Sequence, residues 1–131
     1  MSDEKKKSIL FAEDDPEIRK LYAHALTAAG LTVILAEDGE AGYALALEKQ
    51  PDFLLLDVLM PKMSGVDMLK KIRVHGDWGA RVPAILLTNV EPTTEQMNTD
   101  IAYTAPTYYL LKNFVVPEEV VAKVLERLYT V

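Results

Sequence analysis

The chain has 131 residues, of which 50% are hydrophobic and 26% are charged, and its formal net charge is −6. This length and composition predict one soluble globular domain over residues 1–131. The acidic balance argues against direct nucleic-acid binding, and the absence of cysteine excludes disulfides, thiolate catalysis and cysteine-based zinc sites.

The start of the chain, residues 1–7, is a charged lead-in rather than a targeting segment. The apolar run that follows it is too short for a signal peptide, and no later stretch is long enough to span a membrane. We therefore expect a cytoplasmic protein with no membrane partner.

The first predicted strand, residues 8–12, ends in the acidic turn 13–15. Asp15 before Pro16 is a good N-cap for a helix with proline at its first position, and Gly30 closes that helix. His24 lies off the apolar stripe and is expected at the surface. The stripe predicts that the helix buries Ile18, Leu21, Tyr22, Ala25, Leu26 and Ala29.

The second predicted strand spans residues 31–36, and a helix over about residues 40–50 follows it. The packing residues expected on this helix are Ala41, Ala44, Leu45 and Leu47. The next stretch, residues 51–57, contains an apolar run that is typical of a strand buried on both faces. This strand ends at a lone carboxylate, Asp57.

The remaining chain alternates in the same way. Ser64 is predicted to cap a third helix, with Asp67 completing a partial capping box. A polar loop is expected at residues 75–81, with Trp78 as a half-buried lid. A fourth strand over residues 83–87 ends at Thr88. A short or irregular helix is expected near residues 94–102. The expected core positions of the third helix are Val66, Leu69 and Ile72.

A fifth strand over residues 107–111 ends at Lys112, and Pro117 opens the last helix. The apolar stripe of that helix is Val120, Val121, Val124, Leu125 and Leu128. Five alternations of strand and helix predict an α/β fold, a doubly wound five-stranded parallel sheet of order 2-1-3-4-5 with five helices, like flavodoxin.

In such a sheet the carboxyl ends of the strands meet at one edge, where open α/β sheets hold their sites. The strand tips that meet there carry Glu13, Asp14, Asp57, Thr88 and Lys112. Carboxylates this close repel one another unless a divalent cation lies among them, and oxygen ligands with open positions suit Mg²⁺. An aspartate beside such an ion can attack phosphorus, while a lysine and a hydroxyl hold the phosphoryl oxygens.

The sequence resembles the receiver domain of two-component response regulators, the CheY-like family, over essentially its whole length. The matching stretches are ILFAEDDPEIRKL, PDFLLLDVLMPKMSG, PAILLTN and YYLLKN. The most specific of them is the D-x-x-M-P-x-x-x-G spacing with an acid pair upstream.

The resemblance implies a role for each matching residue and a phosphoacceptor signalling domain that is not an enzyme beyond its own phosphorylation and dephosphorylation. Asp57 would accept the phosphoryl group, and Thr88 and Lys112 would bind it. The Mg²⁺ ligands would be Asp57, Asp14, Glu13 through water, and the backbone carbonyl of Leu59. Tyr109 would be an aromatic switch that responds to movement of Thr88.

The resemblance also implies the partners. A sensor histidine kinase or a phosphotransfer protein would donate the phosphoryl group from a phosphohistidine, and a downstream protein would bind the surface of helix 4, strand 5 and helix 5. Phosphorylation could lead to a homodimer through that face. No output domain is expected in residues 1–131, so the chain is either a stand-alone regulator or a domain of a longer protein.

Three positions depart from the family pattern. Asn113 stands where proline usually follows the lysine through a cis bond, so we expect either a trans bond with a shifted loop or a strained cis bond. Residues 104–106 replace the usual Ala-Gly-Ala, and Asn89 replaces a small residue. These changes affect the signalling face and leave the chemical residues in place.

Three other functions are weighed against this one. A phosphatase of the haloacid dehalogenase type would need a second aspartate at the position of Leu59. A flavodoxin-like FMN carrier would need a loop rich in Ser, Thr and Gly where the acidic turn stands. A receiver fold used as a phosphorylation-independent scaffold or dimerisation module stays open, because of Asn113 and the unusual fourth helix.

Overall fold

The computed structural model describes residues 6–129, and within them five strands form one parallel sheet in the order β2-β1-β3-β4-β5. The strands are β1 (Ser8–Ala12), β2 (Thr32–Ala36), β3 (Phe53–Leu56), β4 (Ala84–Thr88) and β5 (Tyr108–Leu111). The predicted strand order is confirmed. Residues 1–5 of the predicted lead-in lie outside the described residues.

Six α-helices and one 3₁₀ turn accompany these strands in the described part of the chain, and the 3₁₀ turn and the last helix follow β5. They are α1 (Pro16–Ala28), α2 (Gly39–Lys49), α3 (Gly65–Arg73), α4 (Gly76–Arg81), α5 (Glu95–Thr104), the 3₁₀ turn (Lys112–Phe114) and α6 (Pro117–Tyr129). The predicted fourth and fifth helices are therefore α5 and α6. Among residues 6–129, no helix combines the length and apolar character that a membrane span requires.

The prediction of a polar loop at residues 75–81, and with it a total of five helices, was wrong, because α4 occupies this stretch. Its six residues are too few to show an apolar period, and Gly76 enters it at φ +74°. Trp78 is half-buried as expected, and its indole N–H donates to the carbonyl of Pro51 at 2.8 Å.

The sheet has a buried core on each face. Leu54 and Leu56 pack with α2 and α3 on one face, while Phe53 and Leu55 pack with α1 and α6 on the other. All four side chains are fully buried, which confirms that β3 is covered on both sides. Burial of each such side chain contributes about 1.5–3 kcal/mol, so this strand is held firmly behind Asp57.

Some predicted packing positions were wrong. Leu21 is 55% exposed because it lies beside the contact face of α1, which is centred on Tyr22 and Leu26. On α2, Ala44 is exposed and the buried residues are Gly39, Gly42 and Ala46. Small residues carry little hydropathy signal, but they let this helix approach the sheet closely.

The predicted helix caps were correct. The Asp15 carboxylate accepts from the backbone N–H groups of Glu17 and Ile18, and the Ser64 hydroxyl accepts from Asp67 N–H. Thr94 caps α5 in the same way, so the predicted short helix exists and extends to Thr104. These caps fix α1, α3 and α5 at the edge of the sheet where the strands end.

Candidate functional site

The site lies at the carboxyl edge of the three central strands. Register pairs Ala12 of β1 with Leu56 of β3, so the residues that follow them, Glu13 and Asp57, are neighbours. Asp57 N–H donates to the Ala12 carbonyl at 3.1 Å, and Glu13 N–H donates to Ala36 at 3.0 Å. The acids are therefore placed by the sheet ladder continuing one residue beyond the strands.

Three carboxylates meet at this edge. One oxygen each from Glu13, Asp14 and Asp57 lies within 4.8 Å of the others. Glu13 and Asp57 are buried and Asp14 is exposed, so the cluster opens to solvent on one side. Hard oxygen ligands around an open position are what Mg²⁺ prefers, and the donor set is compatible with that ion.

Lys112 lies between two of these acids. Its ammonium nitrogen is 2.7 Å from Glu13 Oε1 and 2.8 Å from Asp57 Oδ2, and its side chain is 14% exposed. Burial opposes the charged form of Lys112, but its hydrogen bonds to Asp57 and Glu13 outweigh burial and raise the pKa of the ammonium. Burial also raises the pKa of the Glu13 carboxyl, against the lowering effect of Lys112.

The two oxygens of Asp57 are held by different donors. Oδ2 accepts from Lys112, and Oδ1 accepts from the backbone N–H of Leu59 at 3.1 Å. Leu59 lies in the loop between β3 and α3 and is 63% exposed. The carboxylate is thus oriented at the strand tip by one donor on each oxygen.

Thr88 and Tyr109 lie in a network beside the acids. Thr88 is buried at the tip of β4, and its hydroxyl accepts from Val90 N–H at 3.4 Å. The Tyr109 hydroxyl donates to the carbonyl of the same Val90. Burial raises the pKa of Tyr109, and the negative charge of Asp57 adds to that shift.

The departures from the family pattern leave Lys112 in place. All peptide bonds between the described residues are trans. The Lys112–Asn113 bond is therefore trans, as in the first of the two predicted alternatives, and it lies in the 3₁₀ turn Lys112–Phe114. Ala105 ends α5 with φ +47°, a conformation that favours glycine. Arg73 donates to the Thr104 carbonyl at 2.7 Å and so ties this helix end to α3.

Sequence reasoning missed Arg19. Its guanidinium donates to the backbone carbonyl of Glu13 at 2.8 Å and to that of Asp14 at 3.4 Å, so it braces the acidic turn from α1. The sequence feature that could have predicted this contact is a basic residue about one turn into the helix that follows the acids.

Residues 9–125 match the model of the response regulator receiver domain. The chain belongs to this family. The resemblance drawn from the sequence is therefore confirmed, and receiver domains are signalling domains of two-component response regulators.

Relatives and solved structures agree with this membership. The chain is 43% identical over 81 residues to the transcriptional regulatory protein CpxR of Klebsiella pneumoniae, covering 61% of this chain and 32% of that one. It is 39% identical over 80 residues to the DNA-binding dual master transcriptional regulator RpaA of Synechocystis, covering 61% and 33%. The chain thus spans about a third of the length of the curated relatives that it matches.

The fold is that of solved receiver domains. The chemotaxis response regulator CheY4 of Vibrio cholerae superposes with a TM-score of 0.80 at 28% identity, covering 95% of this chain and 99% of that chain. A CheY-like receiver domain protein from Methanospirillum hungatei gives 0.84 at 22% identity, covering 95% and 94%, and shows the fold alone.

Proposed function

We propose that this receiver domain takes a phosphoryl group from a phosphohistidine, on a sensor histidine kinase or a phosphotransfer protein, onto Asp57. The observation that carries the proposal is the position of Lys112, which is 2.8 Å from Asp57 Oδ2 within a cluster of three acids. A carboxylate that lies next to a lysine ammonium and contributes to a site for Mg²⁺ can act as a nucleophile toward phosphorus.

Mg²⁺, when bound, would neutralise charge on the phosphoryl oxygens and on the acids. Asp14, Asp57 and the Leu59 carbonyl would hold it, with Glu13 acting through water. Glu13 also forms an ion pair with Lys112, whose ammonium nitrogen lies 2.7 Å from Oε1.

Three side chains have separate roles in the proposed transfer step. An oxygen of Asp57 forms the new O–P bond while the P–N bond to the donor imidazole breaks, and the imidazole leaves with the electron pair and takes up a proton. Lys112 stabilises the charge on the transferring group, and the hydroxyl of Thr88 binds one of its oxygens. The Thr88 hydroxyl, which accepts from Val90 N–H, would donate to the phosphoryl oxygen, and movement of Thr88 toward that oxygen would shift the β4–α5 loop.

The signal would leave through α5, β5 and α6. Tyr109 supports this route, because it joins β5 to Val90, which also contacts Thr88. The downstream partner would be a protein that binds this face, or a second copy of the chain. Residues 1–131 would form one receiver domain.

The test is the intact mass of the protein after incubation with acetyl phosphate and Mg²⁺. We expect one phosphoryl adduct on the wild type, none without Mg²⁺ and none on Asp57→Ala. Asp77→Ala is the matched control, because Asp77 is an exposed aspartate on α4, away from the strand tips. A folded wild type that binds Mg²⁺ but forms no adduct would favour the phosphorylation-independent scaffold instead.

A further inference from the structure

The loop of residues 58–64, here called the ligand loop, packs against the turn that opens α2. Gly39 N–H donates to the Pro61 carbonyl at 3.3 Å, and the Lys62 ammonium lies 3.7 Å from Asp38 Oδ2. The loop that carries the Leu59 carbonyl is therefore supported by a neighbouring element that contributes no residue to the acid cluster.

Gly39 allows this approach because it has no side chain. A Cβ atom at position 39 would lie 1.8 Å from the Met63 carbonyl oxygen and 2.6 Å from its carbon. Both are backbone atoms, so no side-chain rotation can relieve the contact. Any larger residue must push the ligand loop and α2 apart.

The other end of the ligand loop is fixed to Asp57. A Cβ atom at Gly65 would lie 2.1 Å from the Asp57 carbonyl oxygen, and Gly65 N–H donates to the Val58 carbonyl at 3.0 Å. Leu59 N–H in turn donates to Asp57 Oδ1. Since the loop is held at both ends, a displacement of Met63 would shift the residues between those ends, which include Leu59 and its carbonyl.

We propose that Gly39 is a positioning residue whose missing side chain sets how closely the ligand loop lies to α2. Through the loop, it fixes the position of the Leu59 carbonyl relative to the Asp57 carboxylate. This inference rests on the proposed function, in which that carbonyl and that carboxylate hold Mg²⁺.

The test compares Gly39→Ala with Gly42→Ala in the complete chain. Both substitutions lie in α2 and both raise helix propensity. The atoms nearest to a Cβ at Gly42 would be the end of the Met68 side chain at 3.2 Å and the Ala12 methyl at 3.4 Å, and Met68 can move. Gly42→Ala therefore controls for added bulk on a buried helix face.

The first readout is the Mg²⁺ affinity of the metal-free protein by titration calorimetry, with circular dichroism to establish that each variant is folded. We expect Gly39→Ala to bind Mg²⁺ at least about tenfold more weakly, as for loss of a residue that orients a metal ligand. Gly42→Ala should bind like the wild type. A second readout is phosphorylation by acetyl phosphate, which should return in Gly39→Ala at saturating Mg²⁺.

A folded Gly39→Ala protein with wild-type Mg²⁺ affinity would overturn the positioning role and leave the proposed function intact. If the variant does not fold at 25 °C, the titration is repeated in the cold with trimethylamine oxide, which strengthens burial. Failure to fold there also overturns the role, because a positioning residue is dispensable for the fold. A wild type that neither binds Mg²⁺ nor takes a phosphoryl group overturns both proposals.

Discussion

The hydroxyl of Tyr109 donates a hydrogen bond to the backbone carbonyl of Val90. Register places Tyr109 on β5 opposite Leu86 of β4, so the bond reaches from the edge strand to the loop that leaves β4. Val90 N–H reaches back to the hydroxyl of Thr88 at 3.4 Å. One loop residue, Val90, thus joins the Thr88 hydroxyl at the end of β4 to the Tyr109 hydroxyl on β5.

Removal of the Tyr109 hydroxyl is expected to weaken this connection without affecting the acids. Tyr109→Phe leaves the Val90 carbonyl without its donor, which should lower the free energy of unfolding by about 1 kcal/mol. Urea unfolding measures this loss. Tyr103→Phe is the control, because Tyr103 is 60% exposed, and it should change stability by less than about 0.5 kcal/mol. Equal effects of the two substitutions would contradict a structural role for the Val90 bond.

The same hydroxyl predicts a pH dependence. Burial, and then the charge of Asp57, raises the pKa of Tyr109 above its ordinary value of 10.0. The unfolded chain therefore loses this proton first, and the stability that the neutral phenol contributes is lost as pH rises from 10 through the folded pKa. We expect the stability advantage of the wild type over Tyr109→Phe to shrink in that range. An advantage that stays constant in alkaline unfolding curves would show that the hydroxyl titrates as in the unfolded chain.

Lys112 is expected to stabilise the metal-free protein. Lys112→Met leaves Glu13 and Asp57 buried beside each other without a cation, and loss of one partner from a buried ion pair costs about 3 kcal/mol. Added Mg²⁺ should restore part of this loss by neutralising the same acids. Thermal and urea unfolding with and without Mg²⁺ measure both effects.

The control for Lys112 is Lys49→Met. Lys49 lies 4.0 Å from Glu48, and both side chains are mostly exposed, so this pair should contribute less than about 1 kcal/mol. If Lys112→Met were as stable as Lys49→Met, the ammonium between the acids would be as well solvated as one at the surface.

The position of these groups could largely be predicted from the sequence. The apolar run of β3 and the acids that end β1 and β3 predict a parallel sheet with its site at one edge. The observed strand order is the one that five-stranded doubly wound sheets commonly have. The features that could be predicted depend on the local sequence pattern. Examples are the Asp15 cap of α1 and the burial of β3 on both faces.

Contacts between distant segments could not be predicted in the same way. The approach of Gly39 to the backbone of Met63 depends on how two loops pack, and nothing in either local sequence encodes that distance. Arg19 looks like any charged residue on an amphipathic helix until its backbone acceptors are known. The sharing of Lys112 between two acids likewise depends on the packing of β1, β3 and the turn after β5.

A last prediction concerns the end of α5, where the family pattern has glycine and this chain has Ala105. The residue adopts φ +47°, a left-handed conformation in which a Cβ costs about 1 kcal/mol. Ala105→Gly should therefore stabilise the protein by about 0.5 kcal/mol, since the relief of strain is partly offset by the greater freedom of glycine in the unfolded chain.

The reciprocal change tests the same argument at α1. Gly30 follows the C-cap of that helix at φ +94°, and open space surrounds the position of its missing Cβ, so Gly30→Ala should destabilise through backbone strain alone, by about 1 kcal/mol. Chemical denaturation measures the free energy of unfolding, which should rise for Ala105→Gly and fall for Gly30→Ala. If Ala105→Gly were destabilising while Gly30→Ala behaved as expected, Ala105 would owe its position to contacts of its methyl group. In that case the departure from the family pattern at residues 104–106 would stabilise this end of α5.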